Sequence, residues 1–61
     1  MRILAIDYGR KRIGLAISDP LGIMAHGMET LHRRSLRKDL SQLSGIIRAR
    51  EVELLVVHSL L

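Results

Sequence analysis

Two short apolar runs, Ile3 to Ile6 and Ile13 to Ile17, stand six residues apart with a glycine between them. Ile3, Leu4, Ala5 and Ile6 are apolar at successive positions, the pattern of a strand buried on both faces. Asp7 closes that strand and is expected at its carboxyl end, beside an opening. Gly9 suits a turn because it accepts backbone conformations costly for other residues. Arg10, Lys11 and Arg12 then put three positive charges at the same spot. A carboxylate able to hold a divalent cation, next to groups able to hold phosphate, points to phosphodiester or phosphoanhydride chemistry. A plain charged hairpin uses the same residue types, so spacing alone leaves both readings open.

A third apolar run, Ile23 to Leu31, follows the turn signal Asp19-Pro20-Leu21-Gly22. Gly27 and several polar residues interrupt it, as expected of an edge strand. The three runs predict an antiparallel meander. The period then changes: Leu36, Leu40, Leu43 and Ile47 recur at helical spacing behind Ser35, a suitable N-cap. These residues predict a helix from Leu36 to Arg48, with Gly45 as a weak point inside it. Val52 to Val57 reads as a β-branched strand. The predicted order is βββαβ, with the helix as a crossover that brings a fourth strand parallel to the first. One amphipathic helix covers one face of such a sheet, whereas the first and last strands are apolar on both. The other face therefore needs more chain, a second copy or a partner, and homo-oligomerisation through it is expected.

The chain has 61 residues, room for one domain, and a domain this small buries only about 60% of its unfolded surface. With 48% apolar and 26% charged residues it belongs with globular chains, not disordered ones. It has no cysteine, which excludes disulfide staples and thiolate metal sites and fits a cytoplasmic setting. The formal net charge of +4 favours an anionic partner. Nucleic acid is preferred to membrane, because no long apolar span or lipid-facing helix is legible. Asp7 also interrupts the first apolar run too early for a signal-peptide core.

The chain resembles the YqgF/RuvX family of ribonuclease H-like proteins, described as Holliday junction resolvase-like or as pre-16S rRNA nucleases. The resemblance runs from Met1-Arg2-Ile3-Leu4-Ala5-Ile6-Asp7-Tyr8-Gly9 through Lys11-Arg12-Ile13-Gly14-Leu15-Ala16 and Ser18-Asp19. It continues with Ala25-His26-Gly27, Glu29-Thr30-Leu31 and the strand Glu53-Leu54-Leu55-Val56-Val57. It implies an α/β fold: a ribonuclease H-like βββαβ half-domain spanning residues 1–61. It also implies a metal-dependent nuclease acting on RNA or branched DNA. Asp7 becomes the metal-binding catalytic carboxylate, using Mg²⁺ or Mn²⁺. The charge and position of Arg10, Lys11 and Arg12, with the Gly9 backbone permitting close approach, make them the expected contacts to substrate phosphate, an exposed cationic turn being the alternative. The family's other active-site carboxylates belong to chain beyond this segment, so the fragment alone is expected to be inactive. His58-Ser59-Leu60-Leu61 stands where the family usually continues with Gly-Leu-Pro.

The remaining candidates carry less. Asp19 reads as a turn residue, and Glu29, Asp39, Glu51 and Glu53 as solvated positions. Arg33, Arg34, Arg37 and Lys38 crowd the helix start, where positive charge opposes the helix dipole; something anionic nearby, nucleic acid for one, would compensate, but a solvated cationic surface is the preferred reading. His26, His32 and His58 match no zinc spacing, although parallel first and last strands would bring His58 to the sheet end that holds Asp7. Two rival readings stand beside the nuclease. One is an actin-like ATPase fragment, whose phosphate loop also follows an Asp-x-Gly turn. The other is a non-enzymatic basic module that binds nucleic acid or assembles with itself.

Overall fold

The computed structural model describes residues 1–18, 24–27 and 30–59, the side chains of residues 24–27 excepted. Strand β1 (Ile3–Tyr8) turns back into β2 (Arg12–Ser18), and β3 (Met24–Gly27) and β4 (Leu31–His32) follow. Helix α1 (Leu36–Ala49) then leads to β5 (Leu54–Ser59). The sheet runs β3-β2-β1-β5, with β4 also on β2. β1 is antiparallel to β2 and parallel to β5. The α/β order expected from the sequence is therefore the observed one.

The first part of the third run pairs Ala16 with Gly27 and Ile17 with His26, and its last part pairs Ile13 with Leu31. Among the described residues the expected third strand is seen as two short stretches on the same edge of β2, with residues 28–29 between them outside the described ones. A register irregularity lies between Ile17 and Ser18. The turn at Asp19-Pro20-Leu21-Gly22, the carboxylate of Glu29 and the last two residues of the tail lie outside the described residues.

Alternation along β1 and β2 decides which face is buried. Leu4 and Ile6 from β1 and Ile13 and Leu15 from β2 form the core with Leu31 and Leu43. Ile46, Ile47 and Val52 pack against its margin. Ser18 is buried too, but its hydroxyl accepts from the Ile3 N–H at 2.8 Å, so no polar group there is stranded.

Local chemistry sets both ends of α1. The Ser35 side chain accepts from the Lys38 N–H at 3.2 Å, as its N-cap role requires. At the other end the Val52 N–H reaches the Ile47 carbonyl at 3.0 Å, and the Glu51 N–H reaches that of Arg48 at 3.2 Å. Those two bonds define a Schellman motif, and Glu51 takes its left-handed position at φ 53°. Glycine usually holds that position.

The predicted helical stripe is only half used. Leu43 is buried against the sheet, whereas Leu36 and Leu40 remain 63% and 56% exposed. With Ile6, Tyr8, Leu55 and Val57 they line an apolar groove of about 400 Å³ between helix and sheet. Every residue of β5 is exposed. One helix does leave apolar sheet uncovered, on its own side as well as on the far side.

Candidate metal and phosphate site

Asp7 lies one residue before the end of β1, and alternation turns it to the face opposite α1. Its antiparallel neighbour is Gly14 and its parallel neighbour is His58. The His58 Nδ1 is 3.2 Å from the Asp7 Oδ1, with the two side chains 71% and 67% exposed. A shallow pocket of about 280 Å³ surrounds the pair, lined by Ala5, Gly14, Ala16 and Val56 among others. Small side chains on either side of Asp7 leave the carboxylate open to solvent and to a bulky ligand. A carboxylate and an imidazole are both ligand types for a divalent cation. Among the described residues no group of three or more histidine, cysteine, aspartate or glutamate side chains is arranged to hold one. Asp7 and His58 thus offer two ligands at most, and water or substrate oxygens must complete a coordination shell.

The cationic turn caps the same hairpin. The Gly9 N–H donates to the Arg12 carbonyl at 2.9 Å, closing the connection across Arg10 and Lys11. Gly9 is needed for a different reason from the expected one. Its φ lies outside the left-handed range, but a Cβ there would sit 3.0 Å from the Arg12 oxygen. Close approach of backbone, not an unusual dihedral, disfavours a side chain, since the Arg12 backbone would have to give by a few tenths of an ångström. Arg10, Lys11 and Arg12 are all exposed and line a common open depression with Gly9.

Arg33 was expected to be one of several surface cations, and it is not. Its N–H donates to the Lys11 carbonyl at 2.9 Å. Its Nη1 lies 3.2 Å from the Gly9 oxygen and 3.3 Å from that of Arg10. Its Cζ stands 4.3 Å from the centroid of the Tyr8 ring, within cation–π range.

Asp39 corrects a second expectation. It is buried at 2% exposure instead of solvated. Its Oδ1 accepts from the Arg34 N–H at 3.1 Å, and its Oδ2 is 3.8 Å from the Arg33 Nε. Its place in the first turn of α1 also suits a negative charge. The anion that the basic helix start calls for is, in part, this carboxylate. Sequence reasoning missed it because an aspartate four residues after an N-cap looks like any helical surface residue. The signal available was the concentration of arginines just ahead of it.

The family model for RuvX, described as Holliday junction resolvase, matches residues 1–58. The chain belongs to the RuvX family. A relative from Koribacter versatilis, named "Putative pre-16S rRNA nuclease", is 54% identical over 56 residues, covering 92% of this chain and 37% of that protein. Relatives of the same name from Moorella thermoacetica and Clostridium novyi are 51% and 45% identical. They are matched over 93% and 92% of this RuvX-family chain, and over 41% and 42% of their own lengths. The chain therefore spans about two fifths of the curated relatives it matches. Among the described residues no helix is long and apolar enough to cross a membrane.

Proposed function

We propose that this chain contributes the first metal ligand and the phosphate-binding turn of a RuvX-type nuclease, acting in the cytoplasm on structured nucleic acid. The substrate is RNA of the pre-16S rRNA kind or branched DNA of the Holliday junction kind. One observation carries the reading: Asp7 stands on the open sheet face of a RuvX-family hairpin whose end bears Arg10, Lys11 and Arg12.

Asp7, with His58 beside it, is the part of this chain that would hold Mg²⁺ or Mn²⁺. Such a cation supplies an activated water and stabilises charge on the scissile phosphate. The Arg10, Lys11 and Arg12 side chains neutralise backbone phosphates and set the strand's position relative to Asp7, with no base reading required. One carboxylate and one imidazole are fewer ligands than a two-metal centre uses, so these residues alone do not complete the reaction. The uncovered faces of β5 and the apolar groove accept the remaining structure, either further RuvX-type chain or a second copy.

The deciding experiment is a chimera in which residues 1–58 replace the matching segment of the Koribacter relative. Labelled RNA and a four-way DNA junction serve as substrates with Mn²⁺ or Mg²⁺. The expected result is metal-dependent cleavage by the chimera, lost on Asp7→Asn, and none by the isolated chain. Equal cleavage by the Asp7→Asn chimera would remove Asp7 from the reaction.

A further inference from the structure

We propose that Arg33 and Asp39 form a positioning pair that holds the Gly9–Arg12 turn in its phosphate-facing conformation. The proposal rests on the reading of that turn as a phosphate site. Arg33 donates to the carbonyl oxygens of three consecutive residues: Gly9 at 3.2 Å, Arg10 at 3.3 Å and Lys11 at 2.9 Å. A planar trans peptide sends its C=O and the following N–H in opposite directions. Gathering three carbonyls on Arg33 therefore turns the N–H ends of Arg10, Lys11 and Arg12 to the other side. Successive N–H groups presented together are an anion-binding arrangement, and the three cationic side chains extend from the same residues.

The turn needs an external tie. Glu51 is the non-glycine residue with positive φ among those described, so Arg10 and Lys11 both keep negative φ. A two-residue connection of that kind lacks the primed geometry that matches the twist of paired strands. Three adjacent positive charges also repel one another. Arg33 adds a fourth, which by itself would worsen the crowding. Asp39 removes that objection: its carboxylate is buried at 3% side-chain exposure and lies 3.8 Å from the Arg33 Nε. The guanidinium meanwhile rests over the Tyr8 ring at 4.3 Å, immediately before the turn. Arg33 is thus committed to backbone, ring and carboxylate. It positions the phosphate contacts and is not one of them. Asp39 ties this lock to the first turn of α1, so helix and phosphate turn are one mechanical unit.

The test exploits a difference in sign. Asp39→Asn removes a negative charge beside a polyanion site, so charge alone makes binding tighter. Loss of positioning makes it weaker, and a fall of about fivefold is expected for labelled single-stranded RNA at fixed salt, the scale of one ion pair at 3.8 Å that is not itself a hydrogen bond. The asparagine Oδ1 still accepts from the Arg34 N–H, so the helix start is kept. Arg33→Lys preserves charge but not the planar fork, and its affinity falls similarly with the salt slope unchanged. Exchange of the Gly9 amide hydrogen, followed by NMR without any ligand, accelerates about tenfold in both variants as the turn opens locally.

Asp39→Asn binding as tightly as the unaltered chain, with Gly9 equally protected, overturns the proposal. So does Arg33→Lys with full affinity. Replacing Arg10, Lys11 and Arg12 together by alanine separates the two claims. Unchanged RNA binding in that variant refutes the phosphate reading of the turn, while Gly9 exchange still decides whether Arg33 and Asp39 hold it.

Discussion

Helix α1 and its exit hold a glycine where alanine would serve better and a glutamate where glycine would. Gly45 lies within the helix, exposed, and a Cβ added there meets nothing within 4 Å. The Gly45→Ala change therefore reads out backbone freedom with no packing gain or clash, and should stabilise by about 0.8–1.0 kcal/mol. Glu51 sits at φ 53° in the left-handed Schellman position, which costs a side-chain-bearing residue about 1–2 kcal/mol. Glycine relieves that strain but returns about 0.4–1 kcal/mol through its freer unfolded chain. Removing a negative charge from the helix C-terminus adds about 0.3 kcal/mol. Glu51→Gly should then stabilise by roughly 0.3–1.9 kcal/mol, the sum of these terms.

The two positions are about 9 Å apart along the helix at its usual rise, far enough for near-additivity. The double variant should gain about 1.1–2.9 kcal/mol, or roughly 4–23 °C in midpoint temperature for a domain of this size. Urea titration followed by circular dichroism, at one protein concentration throughout, measures it. An unchanged or lower midpoint for Gly45→Ala would refute the reasoning for that site. A lower midpoint for Glu51→Gly would mean that the glutamate side chain holds something the strained backbone argument omits.

Three other outcomes are expected. Asp7→Asn should change stability by no more than about 0.5 kcal/mol, because its side chain is 67% exposed, yet abolish Mn²⁺ binding in electron paramagnetic resonance titrations. Retained binding would place the metal elsewhere. Gly9→Ala should destabilise by about 1–2 kcal/mol and weaken RNA binding, since its Cβ meets the Arg12 oxygen at 3.0 Å; a neutral result in denaturation would show that the turn yields easily. Leu40→Lys with Val57→Lys should reduce self-association in sedimentation experiments, because both residues border the groove and stand 56% and 61% exposed. An unaltered sedimentation profile would show that copies meet by another surface or not at all.

Much of the candidate site was legible in residue order. Asp7, Gly9 and the three cations after it stand in one hairpin, so their proximity follows from covalent continuity. The resemblance to the RuvX family drew on the same hairpin together with separated matches along the chain. Asp39 and Arg33 were not legible, because burial of a helical aspartate depends on what the sheet edge presents to it.

Local rules determined the hairpin, the Ser35 cap and the βαβ order, since each depends on interactions within a few residues. The tertiary structure alone decided which partners meet across the chain. Asp7 and His58 are 51 residues apart and become neighbours only through the parallel register of β1 and β5. A shift of one residue would turn His58 to the helix side, because side chains alternate along a strand. Likewise Arg33 reaches the Gly9 and Arg10 carbonyls across 24 and 23 residues because Leu31 is seated opposite Ile13 in the core. Packing of the apolar face sets the register, and the register then delivers the polar groups to their places.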